Sequence, residues 1–223
     1  MCNGLRTTGL RVFVITFFLV SVVGCQTMYY NTMEKLGYHK RDLLVSDVEK
    51  ARDAQQEAKE QFKSALERFS SVLNFKGGEL QDKYNTLNSE YERSERKAKA
   101  VRDRIASVED VSDALFEEWD MELRQYSNAT LRRTSEQKLK QTRQQYGQLI
   151  KAMKRAEAKM TPVMAAFKDQ VLFLKHNLNA QAIASLKSEL ASVEHNISAL
   201  IKEMEASIKE ADSFLSAMGS VRG

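Results

Sequence analysis

The chain has very few of the residues that build disulfides, sharp turns and metal sites. Its 223 residues include two cysteines, one proline, nine glycines and three histidines. With cysteine only at positions 2 and 25, the remainder of the chain can form neither a disulfide nor a cysteine-ligated metal site. Alternating Val, Ile and Thr runs bounded by turn residues are also lacking, which argues against strands. We therefore expect an all-α protein that is stabilised by packing alone, without metal or cofactor.

Motifs for catalysis are lacking as well. Lys76-Gly77-Gly78 has neither the spacing of a phosphate-binding loop nor a preceding strand. His39, His176 and His195 lie far apart, and no His-Glu-x-x-His or nucleophile-elbow pattern occurs. We predict no catalytic residue, and hence a protein that is not an enzyme.

The N-terminus carries the most specific signal in the chain. Arg6 and Arg11 precede an apolar run from Val12 to Val23, and Gly24-Cys25 follows. That run is about a dozen residues long, whereas a membrane-spanning helix needs roughly 20. A basic start, a short apolar segment and a small residue before the cut predict a signal peptide over residues 1–24.

The four residues from Val22 to Cys25 resemble the bacterial lipobox. They predict cleavage after Gly24 and acylation of the new N-terminal residue, Cys25. Gln26 stands where an Asp would favour the inner membrane, so the expected location is the periplasmic face of the outer membrane, with the lipid as anchor. The alternatives are a transmembrane helix or an ordinary signal peptide with a chance cysteine.

The charge balance gives no strong case for nucleic acid. There are 34 basic and 30 acidic residues, and loss of Arg6 and Arg11 with the signal peptide lowers the formal net charge from +4 to +2. Neutralising a phosphate backbone requires a clear excess of Lys and Arg. The expected partners are the membrane, through the anchor, and either another protein or a second copy of the chain.

Hydrophobic spacing predicts four long helices. Apolar residues recur at alternating steps of four and three, which is the heptad pattern of coiled coils. The segments end near Asn74, Tyr126, His176 and Leu215, and the second, third and fourth begin near Leu80, Leu131 and Ile183. The pattern predicts either a kink or a restart of the third helix at Pro162.

Short connections between long helices favour antiparallel neighbours. We expect an elongated antiparallel coiled-coil bundle of three to four long helices, with an up-down-up-down order. The rival arrangement is a three-helix rod that dimerises to complete its core. The predicted organisation is a signal peptide at 1–24, a lipid-anchored tether at 25–38, the helical domain at 39–218 and a disordered tail at 219–223.

Charge is distributed unevenly along the second and third helices. Residues 109–122 hold seven acids and no base, whereas residues 132–159 are rich in bases. Folding the chain about Asn128 would place these acids opposite residues 133–140, so the pattern predicts a device that sets the register of antiparallel pairing.

The same fold would gather ten bases along one stretch. The predicted patch comprises Arg93, Arg96, Lys97, Lys99, Arg102, Arg104, Lys151, Lys154, Arg155 and Lys159. One interpretation is a binding patch for an anionic lipid or glycan. The other is a solvated face neutralised in part by acids of the first and fourth helices.

Phe116, Trp119 and Tyr126 form an aromatic group near the second turn. Aromatic residues at heptad spacing usually belong to a core. If they are exposed, they would form a docking patch for a partner.

Three stretches and the lipobox together resemble a known family. They are Phe75-Lys76-Gly77-Gly78-Glu79-Leu80, Leu115-Phe116-Glu117-Glu118-Trp119 and Val171-Leu172-Phe173-Leu174-Lys175-His176-Asn177-Leu178-Asn179-Ala180. The chain resembles the domain of unknown function 2959 family of Gram-negative putative lipoproteins, over nearly all of its length after the signal peptide. The resemblance implies a helical, lipid-anchored protein and carries no activity and no site residues.

The expected function is that of a non-enzymatic periplasmic lipoprotein, a structural or adaptor rod at the outer membrane. The alternative is a binder of anionic lipid or glycan that uses the ten-base patch.

Overall fold

The structure is a computed structural model that describes residues 39–74, 79–177 and 179–219. The predicted signal peptide, Gly24, Cys25 and the tether lie outside these residues, as do positions 75–78 and 220–223. The chain divides into two compact units, residues 1–43 and 44–223. In the described part of the first unit, the carbonyl of His39 accepts backbone hydrogen bonds from Asp42 and Leu43, at 2.9 and 3.1 Å.

The described residues form four long helices and no strand. These are α1 (Lys40–Asn74), α2 (Leu80–Leu123), α3 (Ala129–His176) and α4 (Ala180–Gly219). The all-α prediction is confirmed, and the four helices pack against one another as a bundle. None of them is apolar over a length that would cross a membrane.

Ion pairs show the order of the helices within residues 44–219. Lys59 of α1 pairs with Glu205 of α4, and Arg52 pairs with Asp212. One position rises along the chain as the other falls, so α1 and α4 are antiparallel. The pairs that join the consecutive helices are Glu57–Lys97, Glu109–Lys154 and Arg155–Glu203, at 2.6, 2.8 and 3.1 Å. This is the predicted up-down-up-down order.

The core follows the heptad seam for most of its length. Along α1, the seam residues from Leu44 to Phe69 are buried. At its end the buried residue is Leu73 rather than the expected Val72, and in α4 Phe214 replaces Leu215. In α1 this is the forward drift of a straight helix, which has 3.6 residues per turn rather than 3.5. In α4 the buried positions 200, 204, 207, 211 and 214 keep the 4–3 alternation, so the expected position 215 was off by one residue.

Phe167 of α3 joins two aromatic residues of α1. Its ring stacks on Phe69 with centroids 4.5 Å apart, and Phe62 lies 6.5 Å away. All three side chains are fully buried. The contact joins two helices that are not consecutive in the chain, so these rings belong to the core shared by α1 and α3.

Helix α3 continues through Pro162, so of the two alternatives, a kink or a restart, the restart is excluded. Proline lacks the N–H that would bond to the carbonyl four residues earlier, that of Ala158. Both residues are exposed. Water can therefore solvate the carbonyl of Ala158, and α3 keeps its helical course.

Candidate interaction surface

The α2–α3 connection has a defined start and end. Helix α2 ends at Leu123, and the Arg124 N–H donates to the Met121 carbonyl at 3.3 Å. Asn128 caps α3, because its side-chain oxygen accepts hydrogen bonds from the backbone N–H groups of Thr130 and Leu131, at 2.9 and 3.1 Å. The cap satisfies two donors that a helix start leaves without partners. We call residues 110–143 the hairpin end.

Arg143 organises the base of the hairpin end. Its guanidinium forms an ion pair with Asp120, donates to the Phe116 carbonyl at 3.3 Å and lies 5.3 Å from the centre of the Phe116 ring. Phe116 in turn packs edge-on against Tyr146, with centroids 5.4 Å apart. These contacts fix α2 against α3 and hold an arginine beside the surface.

Tyr146 stays neutral over a wider pH range than a free tyrosine. Burial raises its pKa, the charge of Asp113 and Glu109 adds to that increase, and the hydrogen bond with Ser112 opposes it. A neutral ring suits the apolar contact with Phe116.

The three aromatic residues of the sequence prediction have different environments. Phe116 is 7% exposed and belongs to the core. Trp119 is partly buried, and its indole N–H donates to the Ser135 hydroxyl at 2.8 Å. Tyr126 is 41% exposed. The group is therefore core at one end and surface at the other.

An open groove of about 620 Å³ runs along α2 beside Arg143. It is lined by Asp113, Phe116, Glu117, Asp120, Met121, Arg124 and Arg143. Beside it and at the loop, Met121, Tyr126 and Leu131 are 52%, 41% and 56% exposed. They make up three of the five large apolar side chains that are exposed among the described residues, and this concentration distinguishes the hairpin end from the rest of the bundle.

The comparisons with known proteins give a family and no activity. The model of the family described as "Protein of unknown function (DUF2959)" matches residues 29–218. The chain belongs to this family. Comparison with curated proteins and with solved structures gave no match.

In this DUF2959 protein, the acidic segment meets different bases from those predicted. Glu109 pairs with Lys154 and Asp120 with Arg143, whereas the sequence placed the partners at residues 133–140. Both observed pairs have their midpoint between residues 131 and 132, not at Asn128. The hydrogen bond from Trp119 to Ser135, however, has its midpoint at residue 127, so antiparallel pairing about Asn128 is not overturned. The difference lies in the ion pairs, since none joins Asp110, Asp113, Glu117 or Glu122 to residues 133–140 among the described residues.

Several charges of the hairpin end are exposed and form no ion pair with any described residue. The acids are Asp110, Asp113, Glu117 and Glu122, and the bases are Arg124, Arg132, Arg133, Lys138 and Lys140. The sequence shows both groups, but the ion pairs of the structure were needed to show that these residues do not neutralise each other.

Half of the ten predicted patch residues are neutralised by neighbouring acids. Arg93, Lys97, Lys99, Lys154 and Arg155 pair with Glu90, Glu57, Asp103, Glu109 and Glu203. Arg96, Arg102, Arg104, Lys151 and Lys159 are exposed and form no ion pair within the described ranges. The binding of an anion by this set stays a prediction.

The groove itself was missed by the sequence reasoning. The signal that could have indicated the groove is Met121, an apolar residue that lies off the 4–3 alternation through Leu115 and Trp119.

Across the described part of the DUF2959 chain, there is no group of three or more His, Cys, Asp or Glu side chains that could hold a metal ion.

Proposed function

We propose that this DUF2959 protein is a non-enzymatic lipoprotein that is anchored by Cys25 at the periplasmic face of the outer membrane. Its helical bundle would act there as a structural or adaptor scaffold. The observation that carries the adaptor role is the hairpin end, where exposed Met121, Tyr126 and Leu131 accompany a groove with charged walls. An apolar patch rimmed by charge is typical of a protein-docking surface.

The proposal of an anchor is supported by the sequence Val22-Val23-Gly24-Cys25 after a short apolar run. An acyl chain contributes about 0.8 kcal/mol per buried methylene, so more than one chain holds a protein stably at a membrane. A scaffold attached in this way needs no spanning helix.

The anchor is tested by intact mass and membrane fractionation of Cys25→Ser beside Cys2→Ser. We expect the native protein to lack residues 1–24 and to carry acyl chains, and Cys25→Ser to leave the membrane fraction. Cys2→Ser is the matched control and should behave as the native chain, because residue 2 is removed with the signal peptide. An uncut, unacylated native chain would contradict the proposal.

The adaptor role is tested in the same cells with a photo-crosslinking amino acid. Placed at Met121, it should join the protein to a specific partner. Placed at exposed Glu67 of α1, it should not. Equal labelling from both positions would mean that the hairpin end is not a docking surface.

The alternative function, binding of an anionic lipid or glycan, has one supporting observation. Arg96, Arg102, Arg104, Lys151 and Lys159 are exposed and unpaired among the described residues. Because the other five bases of the patch are neutralised, we place this function second.

A further inference from the structure

We propose that the hairpin end binds the hairpin end of a second copy of this chain, with the two hairpins antiparallel. The inference rests on the proposed adaptor function and names its partner. The acidic face of each copy would contact the basic tip of the other.

The acidic face lies on α2. Asp110, Asp113 and Glu117 are spaced by three and four residues, so they share one side of the helix. All three are exposed, and none forms an ion pair with a described residue. Met121 continues the same side, and Asp113, Glu117 and Met121 line the groove.

The basic tip surrounds the loop. Arg124 follows α2, and Arg132, Arg133 and Lys140 lie within the first twelve residues of α3. Glu122, Glu136 and Lys138 lie among them, so residues 122–140 hold five exposed bases and two exposed acids. None of these bases forms an ion pair with a described residue.

The acidic face and the basic tip lie at different distances from the loop. The centre of residues 110–117 lies about 16 Å from Arg124 along α2, at 1.5 Å per helical residue, whereas Arg132 and Arg133 lie on the turns of α3 next to the loop. Two hairpins placed side by side and parallel would set like charges together. An antiparallel overlap sets each basic tip against the acidic face of the other copy.

Such an overlap is two-fold symmetric, so one surface serves both copies. It also covers the exposed apolar side chains of Met121 and Leu131. An anionic membrane would attract the basic tip but repel the acidic face. A second copy offers the opposite charge to both, so it fits more of the surface. The overlap is short, and the dimer should be weak and sensitive to salt.

The test is charge reversal with complementation, using the full chain in detergent. One variant carries Asp110→Lys, Asp113→Lys and Glu117→Lys. The other carries Arg132→Glu, Arg133→Glu and Lys140→Glu. Sedimentation equilibrium is measured on the native chain, on each variant and on their equimolar mixture, and circular dichroism checks the helix content of each variant.

We expect the native chain to dimerise and to lose at least tenfold in affinity between 50 mM and 500 mM salt. Each variant alone should be monomeric, because its two zones have the same sign. The mixture should recover the dimer, since one copy then offers only bases and the other only acids.

The matched control carries Glu67→Lys, Asp169→Lys and Glu189→Lys, which are exposed acids outside the hairpin end. It changes the net charge as the acidic-face variant does and should dimerise like the native chain. A monomeric native chain, or folded variants that do not associate when mixed, would overturn the inference. So would a monomeric native chain whose binding to phosphatidylglycerol vesicles is lost in the base-reversed variant. If the crosslinker at Met121 joins the chain to another protein and not to a second copy, the proposed dimer is wrong, while the adaptor role is supported.

Discussion

At the scale of a single residue, the buried side-chain amide of Gln55 lowers the stability of the protein. Its side chain is fully buried, and neither amide atom has a hydrogen-bond partner among the described residues. Burying an unpaired amide costs about 1–3 kcal/mol. Gln55→Leu should therefore raise the free energy of unfolding by about 1–3 kcal/mol, measured by urea denaturation.

Gln61 on the same helix is the matched control. Its amide donates at 3.0 Å to Glu90, which is only 4% exposed. Gln61→Leu removes that partner and should lower the free energy of unfolding by about 1–2 kcal/mol. If both substitutions stabilise the protein equally, the gain comes from hydrophobicity alone and the argument about unpaired atoms fails.

The contrast between these two residues shows what the sequence can predict at this scale. The heptad spacing correctly places Gln55 in the buried seam. It does not show whether a partner faces the amide, because that depends on the side-chain rotamer and on the register of three other helices. Gln61 lies outside the seam, and no pattern in the sequence indicates that Glu90 is buried beside it.

At the scale of the helix, Pro162 should be a weak point in α3. Proline in a helix interior is about 3 kcal/mol less favourable than alanine, and an exposed residue has little packing to offset that cost. Pro162→Ala should raise the free energy of unfolding by about 2–3 kcal/mol, measured by thermal and urea denaturation.

Gly147, in the same helix, provides the control for that prediction. A Cβ added there meets no atom within 4 Å, so Gly147→Ala should stabilise by about 0.5–1 kcal/mol through backbone entropy alone. A loss of stability in Pro162→Ala, with the expected gain in Gly147→Ala, would mean that the bundle needs a proline-specific backbone geometry.

Helix ends were predicted well where a cap or a glycine marks them. The sequence placed the end of α2 near Tyr126 and the start of α3 near Leu131, and the structure has Leu123 and Ala129. Asn128 decides the second boundary through its two hydrogen bonds. At Pro162 the sequence left a kink and a restart open, because the effect of proline depends on exposure, which periodicity alone does not give for a residue off the seam.

At the scale of the whole bundle, the sequence did not predict which bases the acidic segment contacts. Folding about Asn128 places Glu109 opposite Gly147, whereas its ion-pair partner is Lys154, one heptad farther along α3. The long lysine side chain spans part of that distance, and Trp119 bonds to Ser135, close to the level that folding about Asn128 predicts. Hydrophobic periodicity cannot distinguish registers that differ by one heptad, because such a slip returns the same seam positions to the interface.

The register is tested by crosslinking, because Cys2 and Cys25 are the chain's only thiols. With both changed to Ser, Glu109→Cys is combined with Lys154→Cys or with Gly147→Cys. A short bismaleimide should join the first pair within one chain and leave the second largely unjoined, since residue 147 lies about 10 Å along the axis from residue 154. Mass spectrometry distinguishes links within a chain from links between copies. Faster joining of residues 109 and 147 would mean that Glu109 lies opposite residue 147, which would bring the acids opposite residues 133–140 and remove the unpaired charges on which the hairpin dimer depends.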